Sequence, residues 1–152
     1  MADMSRQVLG GKWGKCFVTV GDETFDLITL KNVEIKYDKS KSEVNQLNDA
    51  VTKHKTSGIS YTGSATIYYQ TPLFRKMALE YATTGKDIYF NMQIINDDVG
   101  SDAGTQSVYA NGCNIDSGVI AMLDVESDAL EESIDFTINE IIISDEFADL
   151  PK

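Results

Sequence analysis

The chain of 152 residues has one histidine, one tryptophan, two prolines and two cysteines. Each shortage removes a class of protein. No run approaches the roughly 18 apolar residues that a membrane helix needs. The opening stretch MADMSRQVLGGKWGKCFVTV lacks the apolar core of a secretory signal. The two cysteines, Cys16 and Cys113, stand 97 positions apart, without metal-ligand spacing. They are expected to be reduced, partly buried thiols of a cytoplasmic product. A catalytic triad needs a histidine oriented by a carboxylate beside a nucleophile. The lone His54 sits instead between Lys53 and Lys55 in a polar stretch. Glycine-rich phosphate loops are missing too: GDET and GSDAG lack both the pattern and a following helix.

The sharpest absence is of positive charge. Residues 1–86 hold 12 Lys/Arg and 9 Asp/Glu, whereas residues 87–151 hold 15 acidic residues and no basic one. The formal net charge of −11 is therefore segregated along the chain. An acidic half solubilises a protein, and it argues against nucleic-acid contact there, because phosphates need Lys and Arg. It also suggests that the basic segment of one copy meets the acidic segment of another.

What is present is mostly β pattern. A hydrophobic fraction of 42% in 152 residues suits one folded domain with a sizeable core. Residues 1–12 read as an arm hinged at Gly10-Gly11. Trp13–Val20 reads as a strand, Gly21-Asp22 as a turn, and Thr24–Tyr37 as further strand with a bulge near Lys31-Asn32. Residues 41–58 form a polar strap rich in lysine, with a turn signal at Asn48-Asp49. Such a strap is unusually long for a loop without a function; it reads as a loose hairpin projecting from the body. A strand over 59–70 follows.

The helix signal comes next. Thr71 is the expected N-cap and Pro72 the first helical residue. Phe74, Met77, Ala78 and Tyr81 make one apolar stripe, and Gly85 stops the helix. Further strands are expected at Asp87–Ile95, Thr105–Ile115, Gly118–Val125 and Glu132–Ile143. A polar loop spans 96–104 and an acidic tail covers 144–152. Asn111-Gly112 ordinarily marks a hairpin turn; within one longer strand it reads as a bulge. Seven or eight strands with one helix, and no strand–helix alternation, predict a mainly β protein: an antiparallel barrel or sandwich with a flanking α-helix.

One acidic spacing invites a metal. Asp124, Glu126, Asp128 and Asp135 fall at calcium-loop positions 1, 3, 5 and 12. Ala129 stands where the loop needs glycine, and the flanks read as strands, so a turn at Ser127–Glu132 is the simpler reading. No cofactor is expected. What remains is a binder, and segregated charge points to binding its own copies. Two different surfaces meeting head to tail build rings or filaments. Two other classes stay open. A carbohydrate- or host-surface-binding sandwich would use Tyr61, Tyr68, Tyr69 and Tyr109 for stacking. An enzyme would need a site formed between subunits.

Several runs carry a resemblance. KSEVN (Lys41 to Asn45), HKTSG (His54 to Gly58), TGSATIYY (Thr62 to Tyr69), DIYFNMQIINDD (Asp87 to Asp98) and IAMLDVESDALEESIDFTI (Ile120 to Ile138) occur in this order. Together the chain resembles the XkdM-like tail tube proteins of contractile phages, defective prophages and bacteriocin-like particles. The resemblance implies a tail-tube (Hcp-like) fold, no catalysis and no cofactor. It implies hexameric rings stacked into a tube, with sheath, tape-measure and baseplate proteins as partners. It places the product in a virion tail or tail-like particle assembled in the bacterial cytoplasm, with DNA or ions passing through and no specific nucleic-acid binding. Within that frame the candidates for inter-subunit or ring-stacking contact are Lys41, Glu43, Asn45, Lys53, His54 and Lys55. The candidates for charge along the bore are Asp97, Asp116, Asp124 and Asp135.

Overall fold

A computed structural model of the chain describes residues 12–98, 100 and 104–147. The expected arm at 1–11, part of the 96–104 loop and the end of the acidic tail lie outside the described residues. The elements are β1 (Gly14–Val20), β2 (Glu23–Asp26), β3 (Leu30–Val44), β4 (Lys53–Tyr68), α1 (Leu73–Thr84), β5 (Phe90–Asp97), β6 (Thr105–Ser117), β7 (Glu131–Ile138) and β8 (Glu140–Asp145). Strand pairing is antiparallel throughout, in the order β2-β1-β5-β6-β7-β4-β3, and β8 also pairs β6. The mainly β expectation with one helix holds.

Two sheets share β6. Its first part pairs β5 on one side, as far as Cys113, and β8 on the other, as far as Asn111. Its last part, from Asn114, pairs β7. The turn from one sheet into the other falls at Gly112, which takes φ +65°, a conformation open to glycine and costly to other residues. The bulge expected at Asn111-Gly112 is therefore the corner of the fold. Opposite it, Asn139 N donates to Asn111 O at 3.1 Å. The expected single strand Glu132–Ile143 is split at Asn139, because β7 pairs β4 and β6 while β8 pairs β6 in the other sheet.

The core fills the angle between the sheets. Ile134, Phe136 and Ile138 alternate inward from β7, as period-2 patterning requires. They meet Phe90 and Met92 from β5, Val18 from β1, and Ala65 and Ile67 from β4. Phe90 sits edge-on between Phe74 and Phe136, with centroids 5.9 and 5.8 Å away. Gly63 lies under the Phe136 ring, where a Cβ would collide.

Four other expectations shift. Thr24–Tyr37 breaks at Leu27–Thr29 into β2 and β3, and the register irregularity follows between Leu30 and Asn32. Gly118–Val125 forms no strand. Apolar residues occur at both parities, so no alternating face exists to bury. Leu123 and Val125 are 98% and 101% exposed. Pro72, rather than Thr71, occupies the N-cap position, while Thr71 Oγ1 accepts from Leu73 N at 3.3 Å. Gly85 caps the C-terminus in the left-handed region, its N–H donating to Tyr81 O at 2.9 Å. At the C-terminal end, β8 takes in Ser144 and Asp145, the first residues of the expected acidic tail.

Candidate assembly surfaces

The strap is a regular element. β3 and β4 pair along their whole length up to Val44 and Lys53, with a bulge between Ser40 and Lys41. The expected projecting hairpin is present over 41–58, and it is regularly paired rather than loose: a two-stranded ribbon closed by residues 45–52. Its sequence carries no burial signal, and nothing among the described residues covers it. β7 pairs β4 only from Tyr61 onward. Lys53–Ser60 and their partners thus stand beyond the sheet, a reach of about 26 Å at roughly 3.3 Å per residue. Asn48 takes φ +63° in the turn, and Asp49 Oδ1 accepts from Val51 N at 2.9 Å.

The six contact candidates come together on this ribbon. Glu43 pairs His54, Ser42 pairs Lys55 and Val44 pairs Lys53. Side chains alternate between the two faces of a strand. Lys41, Glu43 and His54 therefore share one face, and Val44, Lys53 and Lys55 share the other. Asn45 lies just past the end of β3. Lys53 reaches Asp49 at 3.5 Å. Among the described residues Lys41 and Lys55 make no ion pair. Sequence reasoning missed the apolar part of the tip. Val44, Leu47 and Val51 are exposed, Leu47 at 92%.

The four bore candidates do not share one surface. Asp135 lies on the outer face of β7, accepting from Ser117 Oγ at 3.1 Å. That face is polar: Thr62, Ser64 and Thr66 of β4 alternate with the buried or half-buried Gly63, Ala65 and Ile67. Glu34, Asp38 and Lys36 of β3 continue it, with Lys36 and Glu34 paired at 3.0 Å. Asp97 ends β5 in the other sheet and accepts from Thr105 Oγ1 at 3.0 Å. Asp116 occupies the register irregularity near the end of β6. Asp124 sits in the 118–130 segment and accepts from Glu126 N at 3.0 Å. Among the described residues no group of three or more His, Cys, Asp or Glu is placed to hold a metal.

Two concavities open on the molecule. A wide cleft of 1680 Å³ lies between the sheets, lined in part by Leu30, Ile35, Tyr61, Ile94 and Ile141. A smaller cavity of 370 Å³ lies between α1, β6 and the segment after it. The floor of the second holds a buried ion pair: Arg75 donates to Glu132 Oε2 and, at 2.9 Å, to Thr71 O. The guanidinium also lies 4.6 Å from the ring centre of Tyr69. Burial pushes the Glu132 carboxyl above the usual range, against the pull of Arg75. Sequence reading placed Glu132 only at a strand start. Its inward parity with Ile134 was the available signal.

Chemistry elsewhere is muted. Burial pushes the Cys16 and Cys113 thiols up to about 12, so both are protonated and inert. The four tyrosines do not gather on one surface: Tyr61 and Tyr68 line the cleft, Tyr69 carries Arg75, and Tyr109 hydroxyl accepts from Gln93 Nε2 at 2.9 Å.

The fold is that of tube-forming proteins. The chain superposes on a chain of the SPP1 tail tube (TM-score 0.64, 12% identity, 93% of this chain and 81% of that one). It also superposes on chains of the anti-feeding prophage baseplate (TM-score 0.63, 9% identity, 86% and 91%). A third match is the sheath–tube complex of an extracellular contractile injection system (TM-score 0.59, 14% identity, 95% and 99%). A family model described as phage tail tube protein matches residues 2–145. In Bacillus subtilis strain 168 the chain is 38% identical to the PBSX phage-like element protein XkdM over 149 residues, 98% of this chain and 99% of that protein. It is equally 38% identical to the protein YqbM over 146 residues, 96% and 97%. The chain belongs to the phage tail tube protein family: it is a structural component of a phage tail or tail-like particle, not an enzyme.

Proposed function

We infer that six copies close into a ring, that rings stack into the inner tube of a contractile tail, and that the β3–β4 ribbon makes the contact between rings. The observation that supports this best is the ribbon itself. Two strands alone are marginally stable in water, yet this pair carries exposed Val44, Leu47 and Val51 beside Lys41 and Lys55, which make no ion pair among the described residues. A partner supplies what the chain does not. Sheath, tape-measure and baseplate proteins are the further partners such a tube has.

The bore is formed by the polar outer face of β3, β4 and β7. Most of its side chains are hydroxyls, and Lys36 on the same face is paired with Glu34 at 3.0 Å, so little there holds a phosphate and DNA or ions slide past. Of the four carboxylates first considered, Asp135 belongs to this face, together with Glu34 and Asp38. Asp97, Asp116 and Asp124 lie elsewhere and serve contacts between copies or the outer surface.

Cryo-EM of tubes assembled from purified protein tests both points. Sixfold rings with Asp135 at the lumen are expected; a basic or apolar bore would overturn the second. Deleting Glu43–Lys55 is expected to leave a β circular dichroism spectrum and no tubes by negative stain. Normal tubes from the deletion protein would remove the ribbon from the inter-ring contact.

A further inference from the structure

The apolar stripe of α1 leaves the core half-way along. Phe74 and Met77 are buried, but Ala78 and Tyr81 on the same face are exposed and line the 370 Å³ cavity. Ile88, Ile115 and Ile120 complete an apolar wall. The ionisable lining is lopsided: Asp87, Asp116 and Glu132 face a single cation, Arg75. Arg75 is already engaged by Glu132 Oε2 and Thr71 O. Asp87 accepts only from the Asn114 amide at 2.9 Å, and no ion pair among the described residues reaches Asp87 or Asp116. Glu132 is 1% exposed, and its Oε1 has no hydrogen-bond partner among the described residues. A buried carboxylate oxygen left unpaired is costly, and its position marks where a donor is wanted. Apolar walls above uncompensated carboxylates select an aliphatic stem with a cationic head, the chemistry of lysine.

The ribbon tip presents that chemistry. Lys53, Lys55 and Val44 share one face, and the exposed Leu47 lies beside them in the turn. The tip cannot reach the cavity of its own chain. Lys53 and Ile67, which pairs Glu132, are 14 residues apart along one continuous strand, about 45 Å. A contact between tip and cavity therefore joins two copies, through two different surfaces at opposite ends of β4. Such a contact propagates along an assembly rather than closing a pair.

We propose that the cavity beside α1 is a socket for the ribbon tip of a second copy. Lys53 and Lys55 meet Asp87, Asp116 and Glu132, while Leu47 and Val44 cover Tyr81 and Ile120. This rests on the reading that the chain assembles through its ribbon, and gives that contact an address.

Full-length protein, half of it ¹⁵N-labelled, is assembled and treated with a zero-length carbodiimide, and the linked peptides are sequenced by mass spectrometry. The expected products join Lys53 or Lys55 to Asp87, Asp116 or Glu132, with about half of them pairing labelled and unlabelled chains. Tubes in which these lysines link only to other carboxylates, or only within one chain, overturn the socket and leave the tube intact. Failure to form rings or tubes at all overturns the assembly reading as well. A second arm uses charge: K53E/K55E raises the critical assembly concentration at least tenfold, and adding D87K/D116K restores it. No rescue, in a chain with native circular dichroism, also counts against the socket.

Discussion

The side chain of Asn139 occupies the space in which residue 112 would carry a Cβ, its Nδ2 only 2.8 Å from that point. Gly112 and Asn139 thus lock the corner at which β6 passes between sheets and β7 gives way to β8. Gly112→Ala meets both this contact and a φ of +65°. A loss of about 1–3 kcal/mol is expected, read as a lower urea midpoint. Gly58→Ala, with open space around it and no positive φ, is the matched control and shifts the midpoint little.

Phe136 joins the sheet that carries the ribbon to the rest of the core through Phe90. Phe136→Ala opens a cavity in a fully buried cluster and is expected to cost about 3–5 kcal/mol. Urea denaturation followed by circular dichroism measures it. Tyr37→Ala, on the exposed part of β3, is expected to change stability by less than about 0.5 kcal/mol.

Arg75 is the counter-ion that makes a buried Glu132 tolerable. Arg75→Met strands the carboxylate, and removing one partner of a buried pair costs about 3–5 kcal/mol. The loss is expected to be larger at pH 8 than at a lower pH at which Glu132 takes up a proton. The double variant R75M/E132Q recovers much of it. Urea midpoints across the two pH values decide.

The same carboxyl gives the parent protein a pH slope. Burial holds the Glu132 pKa above its ordinary 4.5 in the folded state. The folded chain therefore binds a proton that the unfolded chain releases over the interval just above 4.5. The contribution to stability is present below that interval and is lost as pH rises through the folded pKa. Glu132→Gln is expected to flatten the stability profile there.

Cys16 and Cys113 are buried and their thiols are pushed up to about 12. A thiol reagent at pH 8 is expected to label neither in the native protein and both in urea. Rapid native labelling would show that the β1–β5–β6 region opens readily.

Much of the fold was legible because it follows local rules. The alternation Ile134, Phe136, Ile138 named a strand and its buried face, and Gly85 named the end of a helix. Asn111-Gly112 was rightly read as a bulge. The polarity of 41–58 was misleading, since backbone pairing needs no particular side chain and a ribbon without cover shows no hydrophobic period. The 118–125 segment misled the other way: it has strand composition, yet its apolar residues fall at both parities and give no single face to bury. Among the site residues, the ribbon candidates were found together because they are contiguous. The bore candidates were not, since charge along a chain says nothing about which face a strand turns outward.

The sequence by itself determined the class: a β protein with one helix, no catalytic constellation, a basic first half and an acidic second, and family motifs in order. Composition and local periodicity suffice for that, because they act through neighbours in the chain. Only the tertiary structure decided that the polar strap is a paired ribbon with an apolar tip. It alone placed Glu132 with one oxygen on Arg75 and the other without a partner among the described residues. Both depend on which distant strands lie side by side, and register, set by the packing of the two sheets around Phe90 and Phe136, fixes that.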